Sequence, residues 1–236
     1  MVSPTYSVCR VWLWLNECRW RRDMNDYKQQ FIHQAVVSKA LSFGEFRLKS
    51  GRISPYFFNA GEFYSGIALS TLGRCYAEAI VRSGLQFDGL FGPAYKGIAL
   101  AGATAVALYE YHQIEVSYSY NRKEAKVHGE GGSLIGAPLS GRLLIIDDVI
   151  TAGTAVAEVM DLLESSAAEP AAVLVGLDRK ERVTGNQSAT QIVEQKYGIP
   201  VLSIINIDDI LAFLLARPEM QEWSNAIDRY RQTYGL

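Results

Sequence analysis

The sequence predicts a doubly wound α/β fold, with a mostly parallel sheet and an N-terminal helix and β hood, on three observations. Short runs rich in apolar or β-branched residues recur at 87–91, 115–120, 143–147, 172–177 and 201–205. Segments of helical character separate them, near 97–111, 154–165 and 188–197. The run Leu143-Leu144-Ile145-Ile146 is apolar without alternation, as a strand buried on both faces must be. Strands that alternate with helices imply right-handed βαβ units with helices on both faces of the sheet.

Each element follows in order. Tyr27, Phe31, Ile32, Ala35, Val36 and Ala40 fall at helical spacing and predict an amphipathic helix over 26–41. Residues 43–59 are aromatic and punctuated by Gly44, Gly51 and Pro55, which predicts short strands and loops. A second helix over 70–83 ends at Gly84, because glycine adopts the left-handed conformation that closes helices. The βα alternation occupies the middle, and helices over 208–216 and 219–230 close the chain. No repeat or low-complexity linker interrupts 24–236, which reads as one domain including the hood.

Bulk composition excludes several classes. Lys plus Arg total 23 against 25 Asp plus Glu, for a net charge of −2, so no basic stripe marks a nucleic-acid binder. Any bound anion must be held by local features. Cys9, Cys18 and Cys75 form neither a CxxC pair nor a disulfide framework, which favours a reducing, cytoplasmic setting. No stretch reaches the roughly 18 apolar residues of a membrane span. Residues 1–23 stand apart: they hold Trp12, Trp14 and Trp20, two of the cysteines and four arginines, without clear periodicity. They read as a non-functional extension upstream of a start at Met24, with targeting or a partner contact as the competing readings.

In a doubly wound sheet, ligands bind beyond the carboxyl ends of the strands. The strongest candidate there is Arg142-Leu143-Leu144-Ile145-Ile146-Asp147-Asp148-Val149-Ile150-Thr151-Ala152-Gly153-Thr154-Ala155. A buried strand carries two carboxylates at its tip, and a turn of small residues opens the next helix. Thr151 to Thr154 offer backbone N–H groups and two hydroxyls at a helix N-terminus, which suits a phosphate monoester. Gly153 lets the backbone approach closely. Asp147 and Asp148 would also serve as simple helix caps. Two adjacent exposed carboxylates repel, however, and suit a site where sugar hydroxyls or hydrated Mg²⁺ compensate them. No GxxxxGK[ST] occurs, and Gly129-Glu130-Gly131-Gly132 places Leu134 where a dinucleotide fingerprint needs its third glycine.

The order of apolar run, acidic pair and Thr-x-x-Thr with glycine resembles the phosphoribosyl diphosphate (PRPP) motif of type I phosphoribosyltransferases. From about Tyr27 onward the chain is similar to the bacterial orotate branch of that family. Four further segments carry the resemblance: Phe46-Arg47-Leu48-Lys49-Ser50-Gly51-Arg52, Ser54-Pro55-Tyr56-Phe57-Phe58-Asn59, Gly92-Pro93-Ala94-Tyr95-Lys96-Gly97, and 121–132 with its run Arg122, Lys123, Lys126, His128.

The resemblance implies a division of labour. Asp147 and Asp148 hold the ribose hydroxyls, while Val149, Ile150, Thr151, Ala152, Gly153, Thr154 and Ala155 cradle the 5′-phosphate. Tyr95, Lys96, Arg122, Lys123, Lys126 and His128 meet the diphosphate, with Lys49 as a further contact. Dense positive charge beside Gly129, Gly131 and Gly132 by itself predicts a mobile loop that closes on a polyanion. The family adds that this loop reaches the active site of a second subunit in a homodimer. Lys126, His128, Asp147 and Asp148 are then the catalytic residues. Phe57, Phe58, Thr151 and Arg179 select orotate: aromatic faces suit a planar pyrimidine, and a guanidinium at a strand's carboxyl end grips a carboxylate. Phe57 and Phe58 would also serve as core, and Arg179 as a surface arginine. Mg²⁺ is the implied cofactor, carried by the diphosphate and ribose hydroxyls, with no direct protein ligand assigned.

The implied reaction converts orotate and PRPP to orotidine 5′-monophosphate and diphosphate, a step of pyrimidine biosynthesis. A phosphoribosyltransferase for a purine base, or a PRPP-sensing regulator without catalysis, are the competing readings. Phe57, Phe58 and Arg179 argue against the first, and the complete basic run against the second.

Overall fold

The computed structural model describes residues 27–48, 50–126, 132–151 and 153–236, with side chains left undescribed at 124–126 and 132–133. Among them, ten strands and seven α-helices follow one another in a mainly alternating order. Helix α1 (Tyr27–Val37) leads into the hairpin β1 (Leu41–Arg47) and β2 (Ile53–Phe58), then α2 (Gly66–Ser83), β3 (Gly89–Phe91) and α3 (Lys96–His112). Next come β4 (Ser117–Lys126), β5 (Gly132–Gly136), β6 (Ser140–Val149), α4 (Thr154–Glu164) and β7 (Ala167–Asp178). The small hairpin β8 (Arg182–Thr184) and β9 (Gln187–Ser188) precedes α5 (Ala189–Tyr197), β10 (Val201–Asn206), α6 (Ile207–Leu215) and α7 (Gln221–Tyr234).

The main sheet has the order β10-β7-β6-β3-β4-β5, parallel throughout except for the antiparallel edge strand β5. The chain moves from β3 to β4 on one side and returns to β6 on the other. The switch point therefore lies between the carboxyl ends of β3 and β6, where ligand crevices form in such sheets.

Strand β6 explains why the sheet is covered twice. Leu144 and Ile146 join the core built with α1, α2, α3 and α6, through Phe31, Leu72, Tyr76, Leu108 and Phe213. Leu143 and Ile145 face the other way, against Val156, Val159 and Leu163 of α4 and Val193 of α5. Alternate residues of a strand point to opposite faces, so an unbroken apolar run needs both. Each fully buried side chain of this kind contributes about 1.5–3 kcal/mol relative to exposure.

Local signals fix the helix ends. Ser188 and Asn206 each close a capping box at the starts of α5 and α6. Helix α2 begins four residues before the expected start, because the Ser65 hydroxyl accepts from Ala68 N at 3.2 Å and caps the turn. Close approach also demands glycine where β3 meets α3: a Cβ on Gly92 would lie 2.2 Å from the Gly97 carbonyl oxygen. The β1–β2 hairpin forms the expected hood and leans on α7, with Phe43 stacked 6.4 Å from Trp223 and Tyr56 edge-on to Tyr230 at 6.2 Å.

One expectation needs correcting. Dense positive charge beside the glycines predicts a loop, but residues 121–126 extend β4 and pair antiparallel with β5. Strand β3 flanks β4 only at Ser117–Ser119, so this end of β4 projects beyond it with β5 and its polar side chains need no apolar cover. Among the described residues, no helix is long and apolar enough to cross a membrane.

Candidate active site

The carboxyl end of β6 carries the acidic pair into the switch-point crevice. Asp147 and Asp148 are 8% and 7% exposed, so the expectation of an exposed pair is corrected. They are buried because α2 packs beneath them: the Tyr76 hydroxyl donates to the Asp147 carbonyl oxygen at 2.8 Å. Asp148 N donates to Asp147 Oδ1 at 2.8 Å, and Lys96 Nζ lies 2.6 Å from Asp148 Oδ2. Burial, followed by the negative charge of Asp148, pushes Asp147 up to about 7; Lys96 opposes this. The predicted mutual repulsion is thus present, and burial strengthens it.

Beyond the pair, Gly153 takes φ 73° and caps α4 without a side chain. The first amides of α4 thus meet no capping side chain from that position, and an anion can occupy this place. A cleft of about 250 Å³ opens over this turn, lined by Ala94, Lys123, Asp147, Val149, Ile150, Thr151, Gly153, Thr154, Ala155, Val156 and Glu158. Eight of the predicted PRPP residues therefore line one cavity: Lys123, Asp147, Val149, Ile150, Thr151, Gly153, Thr154 and Ala155.

The turn after β3 forms the facing wall. Ala94 N donates to Asn121 Oδ1 at 2.9 Å, tying this turn to β4. Tyr95 is exposed at the start of α3, with Lys123 Nζ 5.5 Å above its ring. Arg122 and Lys123 also line an adjoining cleft of about 430 Å³ against Glu158 and Asp161 of α4. Lys49, His128 and Ala152 lie outside the described residues, as does the side chain of Lys126; its backbone pairs with Gly132.

The orotate-selecting candidates form a second group one strand across. Val149 pairs with Leu177, and Arg179 follows two residues beyond. Its guanidinium is not at an open surface: Nε and Nη2 donate to Glu181 Oε1 at 2.8 and 2.6 Å, and Nη2 to Ser54 Oγ at 3.3 Å. Tyr56 stacks beneath it, 4.2 Å away. Phe57 and Phe58 divide, as neighbours on a strand must. Phe57 is 43% exposed and stacks on Phe46 at 5.5 Å, whereas Phe58 packs inward at 6.3 Å from Phe31 and 6.2 Å from Phe63. A ligand contact from Phe58 would therefore use its backbone and not its ring.

Sequence reasoning missed the supports. Tyr76 lies within a helix 71 residues before Asp147, and nothing local ties the two together. Asn121 was visible only as the first residue of the basic segment. Glu181 stands two residues from Arg179, but spacing alone does not show that one of its oxygens holds the guanidinium, and Ser54, 125 residues away, gives no local sign of its bond to it.

With the geometry in hand, the comparisons fit it. The phosphoribosyl transferase domain family matches residues 60–211. Orotate phosphoribosyltransferases of Pseudomonas putida and Saccharophagus degradans are 57% and 54% identical over 213 residues, 90% of this chain and all of each relative. The crystal structure of the Francisella tularensis orotate phosphoribosyltransferase superposes with a TM-score of 0.79 at 41% identity, over 87% of this chain and 99% of that one. Identity of this order over nine-tenths of the chain leaves one conclusion: the chain belongs to the phosphoribosyltransferase family, in its orotate branch.

Proposed function

We propose that this protein transfers the ribose 5-phosphate group of PRPP to orotate, giving orotidine 5′-monophosphate and diphosphate. The observation that carries the assignment of roles is the buried Asp147–Asp148 pair beside the glycine-opened N-terminus of α4. That arrangement offers hydroxyl acceptors and phosphate donors a few residues apart.

In the reaction, C1 of the ribose loses diphosphate and gains the ring nitrogen through an oxocarbenium-like transition state. Positive charge grows on the sugar and negative charge on the leaving group, so catalysis is mainly electrostatic and positional. Asp147 and Asp148 hold the 2′- and 3′-hydroxyls and favour positive charge nearby. The turn 151–155 anchors the 5′-phosphate. Tyr95, Lys96, Arg122 and Lys123 line the diphosphate side, with Lys126 neutralising the departing group and His128 as a second donor. Phe57, the backbone at Phe58, Thr151 and Arg179 select the base, and Lys49 adds a contact from the hood.

Among the described residues, no three carboxylate, imidazole or thiol groups converge as a metal site. We read the cation as carried by the substrate's diphosphate and ribose hydroxyls, with the acidic pair compensating it through those hydroxyls. Mg²⁺ bound to the diphosphate would act as Lewis acid and template.

The working unit is a homodimer in which the basic segment serves the partner's site, in the cytoplasm. Residues 1–23 take no part. The relatives align over 213 residues, the number that 24–236 contains. A chain starting at Met24 should keep the turnover of the full chain, measured by steady-state assay; a large loss would give the extension a role.

The deciding experiment measures diphosphate release with orotate, adenine or hypoxanthine, each with and without Mg²⁺. Release only with orotate and Mg²⁺ is expected. Release with a purine base would shift the assignment within the family, and none with any base would favour a PRPP-sensing regulator.

A further inference from the structure

The guanidinium of Arg179 is held by a small, nearly enclosed network. One oxygen of Glu181 accepts from both Nε and Nη2, at 2.8 and 2.6 Å, while the Tyr56 ring lies flat beneath at 4.2 Å. The two side chains are only 16% and 13% exposed, unlike the solvated surface pairs that contribute little. Glu181 is itself secured: the Tyr56 hydroxyl donates to Oε1 at 3.4 Å, and Arg52 Nη1 is 3.6 Å from Oε2.

The end of the chain completes the brace. Gly235 forms a bridge with Glu181, and Leu236 N donates to the Lys180 carbonyl oxygen at 3.0 Å. Arg182 Nη2 donates to the Thr233 carbonyl oxygen at 2.6 Å, and Arg52 covers the Tyr234 ring at 4.8 Å.

Two features point to a ligand. A guanidinium carries five N–H donors in a rigid fork, so fixing one edge aims the donors of the rest. The charges also do not cancel: Arg52 and Arg179 share the single carboxylate of Glu181, leaving one positive charge in excess among the three. A monoanionic carboxylate would balance it.

We propose that Glu181 is a positioning residue for base selection, setting the guanidinium of Arg179 in the orientation that receives the carboxylate of orotate. This rests on the reading that Arg179 receives that carboxylate. The network links the closing segment 230–236 to substrate choice and not only to the fold.

The test is a double-mutant cycle on the full chain, reading KM for orotate and for PRPP separately. Arg179→Ala should raise the orotate KM by roughly a hundredfold, as loss of a charged pair would. Glu181→Gln keeps the shape but loses the charge, and should raise it by about tenfold. KM for PRPP should change little in both. In the Arg179→Ala background, Glu181→Gln should add nothing, since coupled residues are not additive.

An unchanged orotate KM in Arg179→Ala would remove the underlying reading. A large effect there with none in Glu181→Gln, additive effects, or equal rises for both substrates would overturn the proposal alone. If Glu181→Gln does not fold, Glu181→Asp, which withdraws the charge by one methylene, replaces it with the same readout.

Discussion

Replacing Lys126 with alanine is expected to lower turnover by roughly 10²–10³ while leaving the fold intact, because the proposed mechanism gives Lys126 the task of neutralising the departing diphosphate. The expectation starts from position. Lys126 ends β4, the strand whose Lys123 already lines the cleft and whose Asn121 ties down the Ala94 turn. Charge leaves C1 with the diphosphate, so a cation at this strand end gains energy mainly as the bond breaks. Such an interaction acts on kcat more than on substrate binding. Folding should be insensitive, because the described role of Lys126 in the fold is its backbone pairing with Gly132, which alanine keeps. Steady-state kinetics beside a thermal melt checks both halves. An unchanged kcat would reject the role of Lys126, and a lowered melting temperature would assign the loss to folding.

How much of this was legible in the sequence depended on the range of the contacts involved. The β6–α4 unit was readable because its determinants are consecutive: four apolar residues that need two covered faces, an acidic tip, and Gly153 where φ is positive. The strand character of 121–126 was not readable, since polar and charged residues there pair only because β5 folds back on them. Burial of the acidic pair was missed for a similar reason. Tyr76 is 71 residues from Asp147, and no local pattern announces their hydrogen bond. Arg179 was found by its place at a strand end, but Ser54, 125 residues away, and Glu181 define how it is held. The aromatic pair was half legible: composition marked Phe57 and Phe58, and strand alternation decided that only Phe57 shows its ring.

The buried pair makes the enzyme's pH response a sharp consequence. Asp147 is pushed up to about 7 by its burial and by the charge of Asp148, from an ordinary carboxylate value of 3.8. For folding, the sign follows from proton counting. The folded protein retains a proton that the unfolded chain has released, so the contribution is fully present below the ordinary value. It is lost as the pH rises through about 7, at a cost of at most about 4 kcal/mol for the full shift. For function the sign is opposite. A protonated Asp147 accepts fewer hydrogen bonds from ribose hydroxyls and no longer favours the growing positive charge. Hence kcat/KM for PRPP should fall about tenfold per pH unit below about 7, as one essential base is protonated. Substrate hydroxyls and the accompanying cation favour the ionised form, so binding near neutral pH should release a proton. Calorimetry in buffers of different ionisation enthalpy measures that release directly. Asp147→Asn is the control, since it cannot titrate: its kcat/KM should be low but should lose this descending limb. A wild-type profile that runs flat through pH 7, or an Asp147→Asn profile that keeps the limb, would assign the titration to another group and leave the acidic pair as hydroxyl acceptors only.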